Sequence, residues 1–145
     1  MWLSWAIAAA VFVAELAIKT YLRLNFPYAS IPLIKNVLHI TVVFNTGAAF
    51  GILTGKTNLL IYIGIVFILV FFIIISKEKR EDRLFLIACG LILGGAISNM
   101  VDRIFLGYVV DYIDIRIWPV FNLADSCITT GACLLFLDSF KRRNR

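Results

Sequence analysis

The sequence predicts a mainly helical membrane protein: four transmembrane helices carrying a small extracytoplasmic β-sheet and a short interfacial helix or flap. Three observations predict it. Of 145 residues, 61% are hydrophobic and 16% charged, with a mean hydropathy of +0.93, too apolar for a water-soluble domain of this size. Four runs, at about 2–22, 58–76, 84–101 and 122–140, approach or reach the roughly 20 residues a helix needs to cross about 30 Å of hydrocarbon. Two stretches rich in β-branched residues, 36–44 and 109–117, fall in the segments 23–57 and 102–121 between those runs. All 145 residues are expected to form a single integral membrane domain.

The first run contains AIAAA and superficially resembles a secretory signal. It lacks a basic start, is long enough to span, and carries Glu15 and Lys19, so it reads as a retained helix. Glu15 and Lys19 stand four apart in the favourable acid-before-base order and are expected to pair. That pair either fixes the first helix against the bundle or supports the electrostatics of a site. Asn25, Pro27 and Pro32 break the helix.

NVLHITVVF (36–44) reads as a strand whose natural partner is VVDYIDIRI (109–117). Between the first strand and the second helix, NTGAAFGIL (45–53) has Gly47 and Gly51 around an apolar segment containing Phe50. It is too short to span and suits the interface as a short helix or flap. Asn45 is the polar group at its root, where ordinary turn chemistry is the alternative.

The second helix has no polar residue from Leu59 to Ile75 except Tyr62 and reads as a lipid-facing brace. In the third, Gly90, Gly94 and Gly95 offer a smooth face for close helix approach. Gly95, Asn99 and Asp102 share a face, and Arg103 beside Asp102 is expected to supply its counter-charge and tie the helix end to the loop.

In VVDYIDIRI the period of two puts Tyr112, Asp114 and Arg116 on one face, a solvated or paired polar one, and leaves Asp111 on the apolar side. A desolvated carboxylate is costly without a partner or a task, so Asp111 invites a chemical role. Trp118 and Pro119 read as an interface anchor and a helix-starting proline. In FNLADS, Asn122 and Asp125 lie three apart at the mouth of the bundle, where they serve as a cap and a favourable helix-end charge or belong to a site with Asn99.

Charge sets the topology. Lys77, Lys79, Arg80 and Arg83 crowd one short loop and Lys141, Arg142, Arg143 and Arg145 the tail, whereas 23–57 and 102–120 hold only Arg23, Lys35, Lys56, Arg103 and Arg116. Positively charged short loops stay in the cytoplasm, so both termini are expected inside and the long loops outside. The net charge of +5 then reflects topology and anionic lipid, and no nucleic-acid partner is implied. Cys89, Cys127 and Cys133 fall in predicted spans as small apolar fillers. With no zinc-like spacing and a lone His39 in a strand, neither a metal nor another cofactor is expected.

Four pieces in this order resemble the bacterial lipoprotein signal peptidases, the signal peptidase II family of membrane aspartyl proteases. They are acid-xxx-Lys (Glu15, Lys19), NTGAAFG (45–51), GGxxxNxxDRxxxGxVxDxxD (94–114) and FNxADS (121–126). The resemblance runs nearly end to end. It implies that Asp111 and Asp125 are the catalytic dyad, with Asn45, Gly47, Phe50, Asn99, Asp102, Arg103, Asn122, Glu15 and Lys19 as substrate-binding or supporting residues. The implied substrate is a diacylglyceryl-modified prolipoprotein, cut before its lipid-bearing cysteine at the outer face of the bacterial cytoplasmic membrane. Two positions depart from the family pattern: Glu15 stands where Asp is usual, and Ser98 where a Gly commonly precedes the Asn.

Two carboxylates held close share a proton and supply acid and base together. Asn45, Asn99 and Asn122 are expected to orient the peptide backbone, and a monomer suffices because one chain supplies every piece. The rival classes are a proton- or ion-coupled transporter subunit and a non-catalytic membrane scaffold. A conduction path needs polar groups through the full membrane depth, whereas here, Glu15 and Lys19 apart, the membrane acids gather at one face.

Overall fold

The computed structural model describes residues 1–48, 52–78 and 82–143, with the backbone alone for Arg142. Phe50 and Gly51 of the expected flap, and Lys79, Arg80 and Arg145 of the basic clusters, lie outside the described residues. In chain order the elements are α1 (Trp2–Asn25), β1 (Ser30–Ile34), β2 (Leu38–Asn45), α2 (Thr57–Lys77), α3 (Arg83–Leu106), β3 (Val109–Asp114) and α4 (Leu123–Arg143). The four helices are long and apolar enough to span a membrane.

α3 is the axis of the bundle, packed chiefly against α1 and α4 and more lightly against α2. Its glycines make this possible. A Cβ on Gly90 or Gly94 would lie 2.7 Å from the carbonyl oxygen of Ser4 or Ala8 in α1, and one on Gly95 only 2.5 Å from that of Ala124 in α4. α4 reciprocates through Gly131, whose added Cβ would meet Ala88 O at 2.7 Å. Helix backbones can approach so closely only where side chains are missing. α2 fully buries just Ile75, packs Phe71 against the core and leaves most of its other side chains exposed.

α3 is longer than the hydrophobic run implied. Asp82 caps its start by accepting from Phe85 N–H at 2.9 Å, and Gly107, at φ 80°, ends it with its N–H on Arg103 O. Asp102 and Arg103 are therefore helical and not the start of a loop. Hydropathy stops at the first charge, but a helix stops where its last carbonyls find partners.

The sheet has three antiparallel strands in the order β1-β2-β3. The expected pair is present as β2 and β3, with Phe44 opposite Val110, Val43 opposite Asp111 and a register shift between Ile40 and Val43. β1 was not expected, because Pro32 reads as a breaker. It lies opposite His39 on the outer strand, where a residue without an N–H is tolerated. β3 stops at Asp114, earlier than expected, since Arg116 takes φ 67° and leaves the ladder. Pro119 does not start α4, which begins four residues later behind Asn122. The chain first makes a bridge between Phe121 and Ile113. In the expected flap the described residues form bends and turns, closed by Ala48 N–H on Ile52 O at 2.7 Å.

Candidate active site

The site forms where β3, α3 and α4 meet. Alternation along β3 sends Asp111 and Tyr112 to opposite faces, and both are buried. The Asp111 carboxylate accepts from Asn45 Nδ2 at 2.9 Å and from Asn122 Nδ2 at 2.8 Å. Asn45 reaches it diagonally across the ladder, since its own register partner is Val109. Asn45 Oδ1 also accepts from Gly47 N–H at 2.9 Å, so the residue serves both the site and the turn that leaves it.

Asp125 is the third residue of α4. Its Oδ2 accepts from Asn122 N–H at 3.2 Å while Asn122 Oδ1 accepts from Asp125 N–H at 2.8 Å, a reciprocal capping box. Asn99 Nδ2 donates to Asp125 Oδ1 at 2.8 Å. Asn122 is thus both a helix cap and the bridge between carboxyls: its amide donates to Asp111 and its backbone N–H to Asp125. Burial, reinforced by the Asp125 charge, pushes the Asp111 carboxyl up to about 7, against the opposing hydrogen bonds of Asn45 and Asn122 and the Lys19 charge.

Around this pair lies a second buried network. Lys19 Nζ sits 2.9 Å from Asp102 Oδ2, 2.8 Å from Asn99 Oδ1 and 3.5 Å from Glu15 Oε1. The expected pairing of Glu15 with Lys19 is present but is the longest of the three. The expected pairing of Asp102 with Arg103 is absent among the described residues. Neighbours on a helix point about 100° apart, so Asp102 turns to Lys19 and to Val110 N–H (3.1 Å), while Arg103 donates to Asn99 O and Gly47 O, both at 3.3 Å. The Arg103 guanidinium lies in the field of Asp125, Asp111 and Asp102, in that order of strength.

Glu15, wholly buried, accepts from Tyr112 Oη at 2.7 Å and from Ala124 N–H at 3.2 Å. Tyr112 Oη in turn accepts from Leu123 N–H at 3.2 Å. The first three N–H groups of α4, orphans of any helix start, are therefore taken by Tyr112, Glu15 and Asn122. Burial, then the charge and hydrogen bond of Glu15, push the Tyr112 phenol up, so it remains a donor.

Tyr112 was missed by the sequence reading. A buried carboxylate in a span must find donors beyond one lysine, and a tyrosine beside Asp111 on an outer strand is a natural source. The amides of Asn45, Asn99 and Asn122, expected to orient the peptide backbone, donate here to the carboxylates, and Asn99 Oδ1 accepts from Lys19. Asp114 does belong to a paired polar face. Against the cost of its burial, Thr41 Oγ1 (2.8 Å) and the N–H and guanidinium of Arg116 (2.8 and 3.0 Å) hold its carboxyl below the usual range. Among the described residues no group of three or more His, Cys, Asp or Glu is disposed to hold a metal ion.

A family model described as signal peptidase (SPase) II matches residues 7–141. The lipoprotein signal peptidase of Halothermothrix orenii is 54% identical over 108 residues, 74% of each chain. That of Moorella thermoacetica is 43% identical over 133 residues, 89% of this chain and 87% of its own. A solved bacterial membrane enzyme structure superposes with a TM-score of 0.87 at 33% identity, covering 95% of this chain and 87% of the other.

Proposed function

Because the chain belongs to the signal peptidase II family, we propose that its protease chemistry is of the aspartic type, with Asp111 and Asp125 as the catalytic pair. The protein removes signal peptides from prolipoproteins in a membrane. The observation that carries the aspartic reading is the bridging Asn122, which donates to both carboxyls and holds them within each other's field.

The geometry supports a division of roles. Asp125 accepts from Asn99 and from the N–H of Asn122 at the positive end of α4, which suits it to the part of base. Asp111, pushed up by burial and by the Asp125 charge, carries the proton. Asp125 takes a proton from water as the water oxygen attacks the scissile carbonyl, and Asp111 gives its proton to the carbonyl oxygen. On collapse, Asp125 passes its proton to the leaving amine and Asp111 recovers one from the tetrahedral hydroxyl. Both residues return to their starting states.

The substrate is a diacylglyceryl-modified prolipoprotein, cut before its lipid-bearing cysteine by a monomer in the bacterial cytoplasmic membrane. Both termini are cytoplasmic and the site lies at the outer face, an orientation that the basic loops support. Purified protein incubated with a lipidated preprolipoprotein should release the signal peptide. Asp111→Asn and Asp125→Asn should each slow release by about 10²–10⁴-fold, and near-normal turnover by either variant would remove the aspartic assignment.

A further inference from the structure

Beside the Lys19–Asp102 pair, α1 and α3 part to leave a cavity of about 220 Å³ near the sheet end of the spans, and Asp125 does not line it. Leu16, Val101, Phe105 and Leu106 give it an apolar lining, and Lys19, Asp102 and Arg23 add charge to it. Arg23 is half-buried in the last turn of α1, and among the described residues no carboxylate pairs with it. A partly desolvated guanidinium without a counter-ion, above an apolar slot at the end of a spanning helix, is complementary to an anionic headgroup with a chain below it.

We propose that this groove binds one glycerophospholipid, with its phosphate on Arg23 and an acyl chain between Leu16 and Phe105. Phosphate oxygens match the planar donor fork of arginine, and the apolar walls take the hydrocarbon without asking for hydrogen bonds. The bound chain lies against the ion pair that positions Asn99, so the lipid steadies the site without touching Asp111 or Asp125. Binding to the folded state alone raises the melting temperature by mass action.

The test uses the full chain in a phosphate-free detergent, titrated separately with phosphatidylglycerol, with diacylglycerol of the same chains, and with inorganic phosphate. Native mass spectrometry counts bound molecules and a thermal melt follows stability. One phosphatidylglycerol should be retained and raise the melting temperature. Diacylglycerol should bind at least tenfold more weakly, and inorganic phosphate should not be retained. Arg23→Gln should lose the headgroup preference, and Thr20→Trp, which fills the slot, should lose the lipid. As a check on folding, both variants should melt within a few degrees of the wild-type protein measured without lipid. Equal retention of phosphatidylglycerol by wild type and Arg23→Gln, or equal binding of diacylglycerol and phosphatidylglycerol, would overturn the proposal. So would a Thr20→Trp variant that folds and still holds the lipid.

Discussion

At the scale of single residues, the buried acids divide by what each would leave behind. Asp102→Asn strips Lys19 of its nearest carboxylate, and breaking a buried ion pair by removing one partner costs about 3–5 kcal/mol. This variant should melt at a clearly lower temperature. Asp111→Asn removes a group whose folded-state pKa is raised from 3.8 to about 7. The stability linked to its protonation is complete below about 3.8 and lost as pH rises through about 7. At neutral pH the isosteric amide should therefore melt no lower than the native chain while being inactive. Turnover should fall as pH rises through about 7, because the proposed mechanism uses Asp111 as the acid; a rate that climbs through that range would reverse the two roles. Much of this level is legible in the sequence, since an acid on the apolar side of VVDYIDIRI and an acid three residues after an asparagine both stand out. The partners of Lys19 are not legible. Its spacing to Glu15 is local, whereas Asp102 and Asn99 reach it only because glycines let α1 and α3 close up.

At the scale of elements, close packing of α3 sets the position of the polar groups. A Cβ added to Gly95 would meet Ala124 O at 2.5 Å and Ile128 Cγ1 at 2.9 Å. Gly95→Val should push α4 outward and separate Asn99 from Asp125, one turn away. The expected result is a loss of turnover of about a hundredfold or more, as 1 Å misplacements of catalytic groups cause, together with a lower melting temperature. The exposed face of α2 provides the contrast: Ile74→Val, at a residue 60% exposed, should leave turnover unchanged in the same assay. The spans and the β2–β3 pairing follow from hydropathy and β-branched runs. β1 and the last turn of α3 do not, because Pro32 and Asp102 look like interruptions until their tertiary neighbours are known.

At the scale of the whole molecule, four spans put both ends of the chain on one side. The basic residues gather at Lys77, Arg83, Lys141 and Arg143, so a reporter at either terminus should be cytoplasmic and one at Lys56 external. Protease protection on right-side-out vesicles decides it, and a tag at the C-terminus that is cut from outside would invert the placement of the site. The sheet end of the bundle also keeps large apolar side chains uncovered, with Ile117 90%, Tyr28 78% and Trp118 56% exposed, which suits a surface resting in the headgroup layer.

The start of α4 carries one more consequence. Its first three N–H groups are received by side chains from residues 112, 15 and 122, three points brought together only when the first span, the outer strand and the fourth span have all arrived. In the proposed mechanism a chain halted after three spans already has Asp111 but lacks Asp125, the residue assigned to take a proton from water. On that reading hydrolytic activity is expected only once the fourth span has docked, together with the finished fold.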